Sequence, residues 1–319
     1  MYPRRPKECS KPSLRPHPSL RRDGNPMKIG TNFAVCCEWA VDGARRRGYA
    51  MARTGGVNMT ATGFIDVHNH LLPGIDDGCA QIDDSLACIR QLLSHGFVGA
   101  VCTPHVCIDA FPDNVPLQIE QHVRRLQDAT HAAGLDFPLW AGAEVRIAAK
   151  TVAWFEEFGV PTLGNGRAVL IDYWDDRWEP FCDHAVTYLL ERDYLPILAH
   201  PERMALADER LDDLLDRLQE WGVQLQGNLR CLAGGEGPLP QGRIRRWLRE
   251  DRYHLLATDM HSSRCLPARL AGIPQGEQDL GRERLVRLLR DHGFELLQVD
   301  PAPLAAQPLT APSTTGPSR

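Results

Sequence analysis

Two histidines two residues apart, His68 and His70, close a short apolar run in the stretch F-I-D-V-H-N-H-L-L-P-G-I-D-D-G at 64–78. On an extended strand alternate residues point to the same side, so both imidazoles can reach one metal ion. Pro73 and Gly74 then mark a turn, Pro presetting φ and Gly tolerating positive φ, which returns Asp76 and Asp77 towards the histidines. Two nitrogen donors and two carboxylates in so short a span have the composition of a metal site. A solvated polar loop after a strand looks the same, and an isolated H-x-H does not separate the two. The same arrangement recurs further along the chain, and that recurrence separates them.

The elements that must position these groups are short apolar runs alternating with amphipathic segments. Strands are predicted at 64–68, 98–102, 139–143, 168–173, 195–199, 223–228 and 255–258, with helices at 82–94, 115–133, 181–191, 211–221, 243–250 and 282–289. Strands alternating with helices imply a parallel sheet, and about seven of them point to a barrel or barrel-like sheet. His68, His70, His105, Glu144, Asp172, His200, Asp259 and His261 then lie in or just after the C-terminal ends of six strands. In a parallel barrel those ends share one face, where side chains from different strands converge. Each residue alone has a duller explanation: a hydrogen-bonded structural histidine, a helix cap at Asp259, a surface acid at Glu144. Six strand ends finishing alike are hard to produce by accident. So many nitrogen and oxygen donors exceed the three protein ligands plus water of a catalytic zinc, which implies more than one ion. Two or three divalent ions bind phosphate oxygens, acidify a bridging water and stabilise the charge of an in-line displacement, chemistry that suits phosphoester hydrolysis. The carboxylate-rich mix fits manganese, iron or zinc better than copper.

Composition narrows the setting. A chain of 319 residues with 43% hydrophobic and 24% charged residues has the make-up of a soluble globular protein with a sizeable core. No run of 18 or more apolar residues is present, and the N-terminus lacks an apolar signal region, which places the expectation in the cytoplasm. Residues 1–58 hold twelve Lys and Arg against four Asp and Glu, so the remainder is acidic and does not offer nucleic acid a broad basic face. Residues 1–60 read as a disordered basic extension, contacting an acidic partner, or as a mis-assigned start, with Met27, Met51 and Met59 as later starts. Residues 61–304 form the expected catalytic domain, and the Pro-, Ala-, Thr- and Ser-rich stretch 305–319 a disordered tail. Ten cysteines without C-x-x-C spacing indicate neither a zinc ribbon nor a disulfide framework. Cys9 to Arg15 fits the C-x5-R spacing of thiolate phosphatases, but no strand precedes it and no Gly-rich loop accompanies it, so the match is coincidental.

Taken in order, D-V-H-N-H-x-L-P-G-I-D-D-G at 66–78, T-P-H at 103–105, G-A-E-V-R at 142–146, V-L-I-D-Y at 169–173, A-H-P-E-R at 199–203 and A-T-D-M-H at 257–261 resemble the polymerase and histidinol phosphatase (PHP) superfamily. Within it they are most similar to the manganese-dependent tyrosine-protein phosphatases of bacterial capsule biosynthesis, the CpsB/CapC type. The resemblance spans roughly Phe64 to Leu304. It implies an α/β fold, a distorted seven-stranded (β/α)7 barrel related to the TIM barrel, with three metal ions at its C-terminal mouth. One ion would be held by His68, His70, Glu144 and Asp259; a second by Glu144 as a bridge with Asp172 and His200; the third by Asp77, His105 and His261. A metal-bridging hydroxide would attack phosphorus, with Asp77 and His261 in the catalytic set, and Arg203 would grip the phosphate through its guanidinium. Manganese is the implied cofactor, with iron or zinc as alternatives. The implied partner is an autophosphorylated tyrosine kinase of capsular or exopolysaccharide biosynthesis.

The chain departs from the family pattern at two places. Asp172 stands where the family more often has Glu, one methylene longer. After D-M-H the family offers an R-P-P-like run, whereas here Leu266 takes the arginine's place, leaving Arg264 or Arg269 as substitutes for a second phosphate contact, with Arg264 preferred. A small-molecule phosphatase of the histidinol-phosphate type and a non-catalytic regulatory protein of the same fold are the alternative readings. Short loops after most strands leave little lid and favour an exposed phosphotyrosine. Trp154, Trp174, Trp178 and Tyr173 are expected to pack, with Trp174 and Trp178 at the rim of the mouth as the exceptions.

Overall fold

The computed structural model describes residues 63–298; the expectations for 1–60 and 305–319 lie outside the described residues. Among the described residues nine strands occur: β1 Phe64–Asp66, β2 Phe97–Cys102, β3 His105–Val106, β4 Leu139–Ala141, β5 Glu144–Arg146, β6 Ala168–Asp172, β7 Leu195–Ala199, β8 Gln224–Asn228 and β9 Leu255–Ala257. All pairings are parallel. They form a three-stranded sheet in the order β1-β2-β4 and a six-stranded sheet in the order β3-β5-β6-β7-β8-β9.

A single closed barrel of seven strands is therefore not what the hydrogen bonding shows. Beyond the predicted strands 98–102 and 139–143 the chain adds two short strands, β3 and β5, and each separation has a local cause. Pro104, which has no N–H to give, separates β2 from β3. Gly142 separates β4 from β5 where a Cβ would come within 2.8 Å of Val101 and 2.9 Å of Leu163, so only glycine fits. Beyond the strands, the extension of β1 lies beside that of β9: Asn69 bridges Met260, and the Asp259 N–H donates to the His68 carbonyl at 2.8 Å.

The helices are α1 Ile82–Ser94, α2 Pro116–Ala132, α3 Thr151–Phe158, α4 Pro180–Leu190, α5 Asp208–Trp221, α6 Leu229–Leu232, α7 Pro238–Arg249, α8 Leu266–Leu270, α9 Gly272–Leu280, α10 Arg282–Val286 and α11 His292–Leu297. Helix α5 shows why they form. Leu211, Leu214, Leu215 and Leu218 bury one face at helical spacing, Asp208 and Glu209 sit in the first turn where acids suit the dipole, and Gly222 ends the helix at φ 101°. Prolines open α2, α4 and α7, where the missing N–H costs nothing.

Both faces of the strands are covered, which is why β6 (A-V-L-I-D) is buried throughout. One face joins the large core under the helices, through Val169, Ile171, Leu198, Leu225 and Leu256. The other carries a smaller cluster of Ile65, Val67, Val101, Ala168, Leu170, Ile197, Ala199, Leu255 and Ala257, closed by Phe294 and Leu297 of α11. Period-two alternation carries this second face forward along the chain: Ala168 and Leu170 lead to Asp172, and Leu255 and Ala257 lead to Asp259. An apolar layer thus becomes a polar one at the C-terminal ends of the strands.

Candidate metal centre

That polar layer gathers every strand-end residue singled out from the sequence. His68, His70, His105, Glu144, Asp172, His200 and Asp259 are buried, and His261 is half-buried. Four overlapping groups have donor atoms within 4.8 Å of one another: His70, Asp77, His105 and His261; His68, His200 and Asp259; His68, His70 and Glu144; Glu144, Asp172 and His200. Asp77 is the outermost member, its side chain 62% exposed, with Oδ1 3.4 Å from His105 Nε2 and 3.5 Å from His261 Nε2.

Three of the histidines, His68, His70 and His261, are held through Nδ1. His68 Nδ1–H donates to Gln226 Oε1 at 2.8 Å, and His70 Nδ1–H donates to Asp76 Oδ2 at 2.7 Å. His261 Nδ1–H donates to the Asp259 carbonyl at 2.9 Å. Each such bond fixes the tautomer that leaves an Nε2 lone pair, the form in which imidazole binds a metal. His68 Nε2 and His70 Nε2 are buried without a hydrogen-bond partner, and so is Glu144 Oε2, which lies 2.8 Å from His105 Nδ1 but poorly directed for a bond. Three orphaned buried polar atoms facing one point cost more than a folded chain tolerates without a reason. A divalent cation is the reason that fits imidazole lone pairs and carboxylates alike.

Backbone conformation contributes as well. His200 and Asp259 adopt positive φ, 32° and 49°, which non-glycine residues rarely do and which costs on the order of 1–3 kcal/mol each. The His200 N–H is fixed to the Gln226 carbonyl at 2.7 Å, and its Nε2 lies 2.8 Å from Glu144 Oε1. Asp259 divides its labour between oxygens. Oδ2 accepts from Asn228 Nδ2 at 2.8 Å and Arg203 Nη1 at 2.9 Å, while Oδ1 faces His68 and His70 at 3.5 and 3.3 Å.

The electrostatics of the cluster are those of anions among imidazoles. Burial works to raise the Glu144 carboxyl, yet the charges of His105 and His68 hold it well below the usual range; Asp259 is likewise held low against burial by His68 and His261. Burial opposes the imidazolium of His70, but the Asp76 carboxylate, with Asp259 and Glu144 oxygens 3.3 and 3.4 Å from Nε2, keeps it well above its ordinary value in the absence of a bound cation. Asp76 itself, despite burial, is pulled to about 2 by His70. His261 goes the other way, pushed down to about 4 by burial and the neighbouring His70 charge. Burial raises Asp172, with His200 opposing.

The arginines separate clearly. Arg203, on the turn Pro201–Arg203 that follows His200, is 36% exposed and braced against Asp259, with Glu236 3.9 Å from its Nε. Arg264 is exposed and, among the described residues, makes no hydrogen bond or ion pair; the structure does not bring it to the cluster. Helix α8 instead turns Arg269 inward, where it is buried and its Nε donates to the Asp259 carbonyl at 2.6 Å. Its other role, as a phosphate contact, is one its buried position does not suit. Leu266 is fully buried.

Sequence reasoning missed the partners that hold the candidate ligands. Asp76 was visible beside Asp77, but its bonds to His70 and to the His105 N–H at 3.0 Å were not. Gln226 and Asn228 lie on β8, a strand with no histidine or acid, and only their polar character at alternate positions of a buried strand marks them. Trp174 does sit at the rim: its indole N–H donates to Asp172, and its ring meets His105 edge-on at 5.6 Å. Trp154 and Tyr173 are core residues. Trp178 packs on Tyr173 and bonds Asp183 away from the cluster.

Comparison with known proteins bears directly on this arrangement. A family model described as capsular polysaccharide synthesis, CpsB/CapC, matches residues 64–298. A putative tyrosine-protein phosphatase CapC of Staphylococcus aureus is 25% identical over 62% of this chain and 77% of its own length. Tyrosine-protein phosphatase YwqE of Bacillus subtilis is 26% identical over 62% of this chain and 78% of its own. Among solved structures, one from work on YwqE of Bacillus subtilis and CpsB of Streptococcus pneumoniae, described as metal-dependent tyrosine phosphatases, superposes with a TM-score of 0.65. It has 25% identity and covers 73% of this chain and 94% of that one.

Proposed function

The chain belongs to the CpsB/CapC family of capsular polysaccharide synthesis, and from that premise we propose that it is a metal-dependent protein-tyrosine phosphatase. The observation that carries the reading is the set of orphaned atoms, His68 Nε2, His70 Nε2 and Glu144 Oε2, buried where four candidate ligand groups overlap. The overlap of the four groups is compatible with three ions, one that His68, His70, Glu144 and Asp259 would hold, one that Glu144, Asp172 and His200 would hold, and one that Asp77, His105 and His261 would hold. The mixed imidazole and carboxylate set suits manganese, and iron or zinc next. When bound, such ions supply Lewis acidity, making a water acidic enough to attack at neutral pH and neutralising charge on the phosphoryl oxygens.

The chain's own residues do the rest. Arg203 presents a guanidinium beside the cluster, steadied by Asp259 at 2.9 Å, where its fork can take two phosphate oxygens. Gln226 and Asp76 orient His68 and His70, and Asn228 orients Asp259. A tyrosine leaving group departs as a phenolate of pKa about 10, which needs less help from a general acid than an alkoxide does. Equal pairing offsets on the two sides of the Pro104 and Gly142 interruptions, and the Asn69–Met260 bridge, support reading the two sheets of the described residues as one distorted (β/α)7 barrel, the body of a catalytic domain that we bound at 61–304. The substrate we read is a phosphotyrosine protein, a tyrosine autokinase of capsular or exopolysaccharide biosynthesis, with the enzyme acting in the cytoplasm. Among the described residues no helix is long and apolar enough to cross a membrane.

The test is phosphate release by metal-stripped protein resupplied with manganese, comparing phosphotyrosine peptides, phosphoserine peptides and histidinol phosphate, with His200→Ala as control. Manganese-dependent preference for phosphotyrosine, lost in the variant, is the expected result. A preference for histidinol phosphate would discard the protein substrate.

A further inference from the structure

Arg146 lies two residues after Glu144 on β5 and so points to the same side of the strand. That places it roughly 6.6 Å further out, the depth a phenyl ring occupies beyond a phosphoryl group. Its Cα is in register with Asp172 of β6, and its guanidinium carbon sits 4.2 Å from the centre of the Trp174 ring. No carboxylate lies within ion-pair distance among the described residues; its one polar contact is Nη1 to Cys107 Sγ at 3.7 Å. This is unlike Arg203, held by Asp259, and Arg269, spent on a backbone carbonyl.

Trp174 is equally unusual as a packing residue. It is 47% exposed, its N–H is anchored on Asp172, and its ring meets that of His105, which also stacks on Phe111 at 6.0 Å. An exposed indole and a half-buried guanidinium without an acid therefore stand together at the outer edge of the ligand cluster. Both have a preference for flat, electron-rich rings.

Building on the phosphatase reading above, we infer that Arg146 and Trp174 form the leaving-group subsite, which receives the aromatic ring of an aryl phosphomonoester against the guanidinium and the indole. The pair selects phosphotyrosine over alkyl phosphates such as phosphoserine, and Arg203 alone among the arginines serves the phosphate. Arg146 is a specificity residue; hydrolysis does not require it.

The experiment is calorimetric binding of benzylphosphonate and ethylphosphonate, which hydrolysis cannot consume, to the full manganese-loaded chain and to its Arg146→Ala and Arg146→Lys variants. The parent should bind the benzyl compound about tenfold more tightly, the scale of one stacked cation and ring. Arg146→Ala should erase most of that ratio while leaving ethylphosphonate affinity and the melting temperature unchanged, and Arg146→Lys should retain part of it. Equal weakening of both ligands would make Arg146 a phosphate contact or a structural residue, and an unchanged ratio would remove it from the site; either overturns the inference with the phosphatase reading intact. Failure of the parent to bind either phosphonate would overturn both.

Discussion

Glu144 and two buried carboxylates near it, Glu202 and Asp66, are treated in opposite ways. At the strand ends, Glu144 has an oxygen without a hydrogen bond, faced by histidine nitrogens in the same condition. Nearby, Glu202 is fully used: Oε1 accepts from the Asn228 N–H at 2.7 Å and Oε2 from the Tyr253 hydroxyl at 2.7 Å. Asp66 is likewise satisfied by Thr258, through its N–H at 3.0 Å and its hydroxyl at 2.6 Å. With protein partners supplied, burial dominates, and it raises Glu202 and pushes Asp66 up to about 6. The lesson is that burial alone does not mark a functional acid; burial with capacity left open does.

Substitutions can break this contrast. Glu144→Gln should cost activity at least about a hundredfold, more than the loss of a supporting residue would. In metal-free protein the same change should cost the carboxylate's attraction to His105 and His68 and its Oε1 contact with His200 Nε2 at 2.8 Å, and lower the melting temperature far less than it lowers activity. Parallel decay of stability and activity would place Glu144 in the structural class. Next in size, Asp76→Asn should weaken metal affinity by about 10- to 100-fold by loosening His70, read by titration with manganese. Tyr253→Phe belongs to the other set: it leaves Glu202 Oε2 unpartnered and should cost about 1–3 kcal/mol of stability in denaturant unfolding. Its kcat/KM at permissive temperature should stay near that of the parent.

The smallest effect sharpens the contrast at the surface. Asp212 pairs with Arg246 at 2.7 and 2.9 Å and with the Trp247 indole; burial opposes, but these bonds lower its carboxyl below the ordinary value. A lowered folded pKa means stability that is present above the unfolded pKa, near 3.9, and is lost as pH falls through the folded one. Asp212→Asn should therefore remove under about 1 kcal/mol at neutral pH and nothing in strong acid, since the pair is partly exposed.

How much of this was legible beforehand follows from which residues carry local signals. His68, His70, His200 and Asp259 announced themselves because each ends an apolar run, and strand ends of a parallel sheet converge whatever the details. Gln226, Asn228 and Tyr253 gave no such signal, because their importance lies in partners far along the chain. Helices α3, α6, α8 and α9 were missed, and the last predicted helix stopped short of α11: α3 is only two turns long and α6 one, and α8 and α9 follow the last strand in a stretch broken by Pro267 and Pro274. The choice between Arg264 and Arg269 depended on how α8 turns, which spacing from D-M-H does not reveal. The interruptions at Pro104 and Gly142 were readable as residues, but their effect on the sheet required knowing that Val101 and Leu163 crowd that point.

The central claim is that the open capacity at the strand ends belongs to metal ions. Elemental analysis of the full chain purified without chelator and dialysed against manganese tests it most directly, with Glu144→Gln alongside. The account predicts three ions per chain in the parent and fewer in the variant. A parent that holds no metal under these conditions would contradict it.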